Sequence, residues 1–258
     1  MRWHVVNQLS PGVQWTIILL VTLLVGISIE VMQYGTGRTP DAGDVLRDVT
    51  GSLLVLAFAP SGLVSQPLSR RYALQISVLV LLLVQLWPLT NSLIDEAIAR
   101  QQFPLLSAFE TPFEIYRWGG NAELSVESVP SVARGKLLKM PLTTDQYSGA
   151  TLKYFNGNWA SFNTLEISLY NPGVDPLQIT CRIHDLQHVD GNEEYEDRFN
   201  RSFLLKPGWN EVVIDLNEVQ ESPAGRSMDM NHIIGLGIFV VALPEPRVLY
   251  LDKIQLSP

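Results

Sequence analysis

Long uncharged apolar runs open the chain and short alternating ones close it, so its 258 residues predict two kinds of element. Residues 13–29 (VQWTIILLVTLLVGISI), 49–64 (VTGSLLVLAFAPSGLV) and 72–94 (YALQISVLVLLLVQLWPLTNSLI) contain no Asp, Glu, Lys or Arg. About 20 apolar residues in a helix cross about 30 Å of hydrocarbon. The pattern therefore predicts three membrane spans, over about 13–32, 45–64 and 72–94, the second being the shortest. Trp87 and Pro88 near the end of the third run suit an interface. Two further apolar segments follow the first, and no small-residue cleavage site is evident, which argues against a cleavable signal peptide.

From residue 107 onward the period changes. Runs such as TLEISLY, PLQITCRIH, WNEVVIDL, GLGIFVVAL and VLYLDKIQL alternate or are apolar throughout, and NGN, NPGVDP, KPGW and LPEP punctuate them. Many short strands separated by Gly- and Pro-rich turns predict an all-β sandwich or jelly roll. The expected organisation is a helical transmembrane region over 1–100 and a β-sandwich over 105–258. One hairpin is expected from alternation. If Leu165, Ile167 and Leu169 share a face with Leu177, Ile179 and Cys181, Leu169 pairs with Leu177 and Leu165 with Cys181. Glu166 then lies diagonal to Arg182, and the outward face carries Tyr170, Thr180, Arg182 and His184. Such a face is either solvent-exposed or a ligand platform. Cys181 is the sole cysteine, so no intrachain disulfide forms, and its place on the apolar face reads as a small buried hydrophobe.

Charge divides the chain at the same boundary. Residues 1–100 hold six Lys/Arg and six Asp/Glu, whereas 101–258 hold twelve and twenty, which is the whole net charge of −8. An acidic domain without a basic footprint argues against nucleic acid. The positive-inside rule is tied on loop arginines. The acid-free Arg70–Arg71 pair breaks the tie and places the C-terminal domain outside the cytoplasm.

The ionisable groups of the helical region crowd between its first two apolar runs, in EVMQYGTGRTPDAGDVLRDVTG. Glu30 and Gln33 lie one helical turn apart, and Asp44, Asp48 and Gly51 share a helix face at i, i+4, i+7. Arg38 sits in the turn between them. Polar groups at a membrane boundary are usually paired or functional. This cluster reads either as a grip on a polar head group or as an ion-pair network that locks two helices. At these residues the sequence resembles the VanZ-like family of bacterial membrane proteins. Glu30, Gln33, Arg38, Asp44 and Gly51 match that family's motif, and Asp48 stands where the family usually has Asn. The resemblance covers about residues 14–66 and implies a bacterial inner-membrane protein. It also implies further helices ahead of this point, so the chain is a shortened version or begins at an internal start.

In the C-terminal part, HDLQHVDGNEEYEDRFN gathers planar polar and aromatic side chains directly after the Arg182 strand. That chemistry suits hydroxyl-rich ligands, and it also suits a long solvated loop. Its His and Asp spacing matches no standard metal motif. The expected ligand surface comprises Arg182, His184, Asp185, Tyr195 and Arg198. The stretches FETPFE, DRFN to LKPGWNEVVIDL, and LYLDKIQL resemble the carbohydrate-binding jelly-roll modules of the galactose-binding-like class. That resemblance implies a structural calcium held by Glu110 and Asp252. It also implies glycan, cell-wall-related polymer or lipid-linked sugar as partner, beside the lipid bilayer. The expected function is a non-enzymatic envelope protein with no catalytic residues. The alternatives are a membrane enzyme using Glu30, Arg38 and Asp44 on a lipid head group, and a protein-interaction adaptor.

Overall fold

The computed structural model describes residues 10–34, 41–58, 67–120, 123–128 and 135–258. It divides into two compact units at the Thr90–Asn91 junction. In the first unit lie α1 (Pro11–Tyr34), α2 (Ala42–Phe58) and α3 (Leu68–Gln102) as far as Thr90. Among the described residues, two helices are long and apolar enough to cross a membrane, over Gly12–Tyr34 and Leu68–Gln102. The expected second span falls short of that test. α2 has 17 residues, or about 25 Å at 1.5 Å per residue. Its first turns carry Asp44, Arg47 and Asp48, and residues 59–64 of the expected span lie outside the described residues.

Polar side chains join these helices at several levels. Thr22 Oγ1 and Ser52 Oγ lie 2.9 Å apart between α1 and α2. Gln85 donates from α3 to Thr50 Oγ1 of α2 at 2.7 Å, and Gln75 donates to the Ala57 carbonyl at 3.1 Å. Gly26 lets α1 approach α2, because a Cβ there would stand 3.3 Å from an Asp48 carboxylate oxygen. Small residues and hydroxyl or amide contacts are the means by which helices associate in lipid.

The second unit is an antiparallel β-sandwich that follows the last turns of α3. Its strands are β1 (Leu105–Ser107), β2 (Trp118–Gly120), β3 (Ser125–Glu127), β4 (Leu137–Leu142), β5 (Tyr147–Leu152) and β6 (Thr164–Asn171). They continue as β7 (Leu177–Asp185), β8 (Phe199–Leu205), β9 (Gly208–Asp215), β10 (Ile233–Val241) and β11 (Arg247–Ser257). Short helices α4 (Leu186–Asp190) and α5 (Leu216–Glu221) follow β7 and β9. One sheet runs β3-β4-β11-β6-β9 with β1 added on β11, and the other runs β2-β5-β10-β7-β8.

Alternation drives the packing. Leu165, Ile167 and Leu169 of β6 join Leu177, Ile179, Cys181 and Ile183 of β7 in one buried cluster with Leu236, Ile238, Leu251 and Ile254. Both expected apolar faces are therefore inward. The expected hairpin between them is not formed. β6 pairs with β9 and β11, whereas β7 pairs with β8 and β10. The two strands belong to opposite sheets, so Glu166 and Arg182 lie on different outer faces. Period-two patterning specifies which side of a strand is buried, and a neighbour in the same sheet satisfies it as well as a partner in the facing sheet.

Candidate functional site

The outer face of the five-stranded sheet collects most of the expected ligand residues. With Cys181 and Ile183 buried, alternation turns Thr180, Arg182 and His184 outward. Across the sheet, Arg182 lies opposite Gly237 of β10 and Asn200 of β8, and Thr180 lies opposite Phe239. β5 contributes Gly149 opposite Phe239 and Thr151 opposite Gly237. Bare backbone gives these side chains room to lie down. A Cβ on Gly235 would stand 2.1 Å from the His184 imidazole.

Tyr147, Gly149, Thr151, Arg182, Arg198 and Phe239 line an open groove of about 270 Å³, together with the Ser148 and Ala150 backbone. Tyr147 and Phe239 form its aromatic end, edge to face with centroids 5.9 Å apart. Among the described residues, four polar atoms of this face are buried without a hydrogen-bond partner: Arg182 Nε, His184 Nδ1, Arg198 Nε and Asn200 Oδ1. Unsatisfied buried groups are costly and few in native structures. Their concentration on one face marks where a polar ligand would complete the bonding. Burial pushes the His184 pKa down to about 4, helped by Arg182, His188 and Arg198, so the imidazole is neutral at pH 7. Burial and then the charge of Arg198 also lower the pKa of Arg182.

The other expected ligand residues divide. The Arg198 guanidinium lies 5.3 Å from the Tyr195 ring centroid. Those two side chains line an adjoining groove of about 520 Å³ with Asn200, Arg201 and Glu218. Asp185 turns inward and is fully buried. Its carboxylate accepts two bonds from Arg226 at 2.6 and 2.9 Å, one from the Asp229 amide at 2.8 Å and one from the His188 amide at 3.1 Å. Burial would raise its pKa, but these donors outweigh burial and hold it below the usual carboxylate range. Asp185 therefore supports the platform from below. Arg226 also binds Asp197 at 2.5 and 2.8 Å, which closes a clamp around the 185–197 segment. Asn200 ends the polar segment read from sequence, whereas Tyr147, Phe239 and Arg226 were not expected there. They enter through strand register and through an irregular segment without periodicity.

The outer face of the six-stranded sheet is a second surface of a different kind. Tyr170 lies opposite both Trp209 and Tyr250, with centroids 5.3 and 6.2 Å apart. Three of its polar side chains are bonded to carboxylates. Tyr250 donates to Glu127 at 3.0 Å, Ser168 to Glu211 at 2.8 Å, and Gln255 to Glu166.

Glu110 is exposed, and Asp252 lines a shallow recess with Glu166, Glu211, Val213 and Lys253. The buried carboxylate of the FETPFE stretch is instead Glu114, which accepts from the amides of Ala108, Phe109 and Thr111 at 2.8, 2.9 and 3.2 Å. Burial would raise its pKa, and these amides bring it below the ordinary value. Calcium takes six to eight oxygens. Among the described residues no group of three His, Cys, Asp or Glu side chains comes together to hold a metal ion.

In the helical unit, the Glu30 carboxylate is 7% exposed and accepts from the Asp41 amide at 2.6 Å. Arg47 pairs with Asp44 and lies 3.7 Å from Asp41. Gln33 is half-buried, whereas Asp48 and Gly51 are exposed, and Arg38 lies outside the described residues.

No family model matches the chain, and no curated protein matches it at a significant level. Among solved structures, it resembles the family 11 carbohydrate-binding module from Clostridium thermocellum in complex with a β-1,3-1,4-mixed-linked tetrasaccharide. Identity is 17%, coverage is 59% of this chain and 94% of that one, and the TM-score is 0.44. It also resembles an exo-β-agarase at 16% identity and a TM-score of 0.48, over 60% of this chain and 24% of the agarase.

Proposed function

We propose that this protein is a membrane-anchored glycan-binding protein of the bacterial envelope, without catalytic activity, whose saccharide lies on the outer face of the five-stranded sheet. The observation that carries this reading is the row of four partnerless polar atoms beside the Tyr147–Phe239 pair. A saccharide presents hydroxyls for such atoms and apolar ring faces for aromatic rings. The six-stranded sheet offers aromatic rings, but Tyr250, Ser168 and Gln255 there are bonded to carboxylates, and among the described residues none of the orphaned buried polar atoms lies on that face. The test is a glycan-array screen of the full chain in detergent, with Tyr147→Ala and Phe239→Ala as variants. Loss of saccharide capture in both, with unchanged melting temperature, is expected. Capture by both variants at the parent level sinks the assignment of this face.

The helical region is proposed as a VanZ-like anchor of three spans, with the sandwich outside the cytoplasm. Its support is the match at Glu30, Gln33, Arg38, Asp44 and Gly51, and the bonding of α2 alongside both neighbours. Thr50 and Ala57 of α2 meet Gln85 and Gln75 of α3, and Ser52 meets Thr22 of α1. Glu30 is engaged on the Asp41 amide and Asp44 on Arg47. The polar cluster is accordingly proposed as a lock between α1 and α2 rather than as a catalytic centre.

A further inference from the structure

Two guanidinium groups stand on the same groove of an acidic domain, and neither is neutralised. Residues 101–258 carry eight more Asp and Glu than Lys and Arg. Three other arginines of the sandwich have carboxylate partners: Arg117 takes Asp95, Arg201 takes Glu218, and Arg226 takes Asp185 and Asp197. Among the described residues, Arg182 and Arg198 form no ion pair, and the Nε of each is buried without a hydrogen-bond acceptor. Both line the groove beneath the Tyr147–Phe239 pair. The β7–β8 register sets Arg182 opposite Asn200, so Arg198, two residues earlier, approaches it diagonally. The exposed Glu193 is the carboxylate whose charge favours the Arg182 cation. Holding two like charges together at a half-buried site costs free energy. An anion between them would relieve that repulsion and supply the missing acceptors.

We propose that the groove selects acidic saccharides, with a carboxylate or sulfate of one sugar seated between Arg182 and Arg198 and a neighbouring ring against Tyr147 and Phe239. This deepens the glycan-binding reading and rests on it. The guanidinium fork matches planar and tetrahedral oxyanions with paired N–H bonds. Asn200 Oδ1 would accept a sugar hydroxyl, and His184 Nδ1 would donate or accept according to its tautomer. A neutral saccharide would offer hydroxyl oxygens to the Nε donors but leave the two positive charges uncompensated, so the site discriminates by charge as well as by shape.

The test measures binding of the full chain in detergent micelles to three probes of similar length: an oligogalacturonate, a sulfated galactan oligosaccharide and a neutral cello-oligosaccharide. Acidic probes are expected to bind at least about tenfold more tightly than the neutral one, the worth of one charge-assisted hydrogen bond. Their affinity should fall as salt rises from about 50 to about 300 mM, because the charges are partly exposed. Arg182→Gln and Arg198→Gln should each remove that preference while keeping the parent melting temperature. Glu193→Gln should strengthen acidic binding by removing a competing anion. Equal affinity for the neutral and acidic probes overturns charge selection and leaves the glycan reading intact. Capture of none of the three overturns both. If either acidic probe binds and both arginine variants bind it as the parent does, the assigned residues are wrong.

Discussion

Arg117 holds Asp95 with two parallel hydrogen bonds of 2.7 Å, from Nε and from a terminal nitrogen, while its other terminal nitrogen donates to the Leu106 carbonyl at 2.9 Å. The two side chains are 2% and 10% exposed. Asp95 belongs to the last turns of α3, which lie in the same compact unit as the sandwich. The residues from Asn91 onward are thus part of that folding unit, tied to the turn before β2 by a buried, bidentate pair.

Breaking this pair from one side should be costly. Replacing Asp95 by Ala leaves the guanidinium buried without its counter-charge, which typically costs about 3–5 kcal/mol. Urea unfolding of the full chain in detergent should show a loss of that order. The double variant Asp95→Leu, Arg117→Met should recover much of it, because no uncompensated charge remains. A loss as small as that of an ordinary surface substitution, under about 0.5 kcal/mol, would mean that the pair contributes nothing to the unit.

Arg226→Ala should loosen the segment from Asp185 to Asp197 without touching the groove itself. Asp185 would keep the amides of His188 and Asp229 but lose the cation that offsets its burial. Hydrogen exchange should accelerate at residues 186–198 while β10 and β11 stay protected. Uniform exchange in variant and parent would dismiss the clamp.

His184 gives the sandwich a pH dependence of predictable sign. Its folded pKa is about 4 against an ordinary value of 6.5, chiefly through burial and then through the positive charges of Arg182, His188 and Arg198. Between those values the unfolded chain binds the proton and the folded chain does not, so stability falls as pH drops from about 6.5 to about 4. The depressed carboxyls of Asp185 and Asp197 lose their contribution lower still, as pH falls through their folded values. Melting curves of His184→Gln should lack the upper part of this decline. Superimposable profiles for variant and parent contradict a half-buried, neutral His184.

Cys181 offers a simple check of the core assignment. It is fully buried, and burial pushes its thiol up to about 12. The thiolate is the reactive species, so an aromatic disulfide reagent should leave the folded protein unmodified and label one thiol after denaturation. Rapid labelling under native conditions would place Cys181 outside the core.

The pattern of alternation made the sandwich and the sides of its strands legible, but not their neighbours. Leu165 and Cys181 are both inward as expected, yet they lie in different sheets, since period two carries no information about partner identity. Arg182 and His184 could be placed outward by the same parity. That parity also sets Asp185 with the buried Ile183, and its polarity suggested the opposite. Tyr147 and Phe239 come from β5 and β10, which meet only through long-range pairing. Arg226 comes from a segment with no period at all. In α2, the uncharged run was visible, but the described helix also takes in Asp44, Arg47 and Asp48 ahead of that run.

Membrane topology separates two readings of that helix. If α2 crosses, the chain has three spans and its ends lie on opposite sides. If only α1 and α3 cross, the ends lie on the same side. Ser52 is hydrogen-bonded to Thr22 in α1, and Thr50 and Ala57 are bonded to Gln85 and Gln75 in α3. These bonds run along the second half of α2, so that half would share the depth of its neighbours rather than rest at the surface. The acid-free Arg70–Arg71 pair ahead of the third run favours the cytoplasm by the positive-inside rule. A phosphatase reporter fused after Pro258 should therefore be active, and the same reporter fused ahead of Met1 should be silent. Activity at both ends would reduce the anchor to two spans. Silence after Pro258, with an active cytoplasmic reporter at the same site, would put the sandwich inside the cell and remove envelope glycans as its ligand.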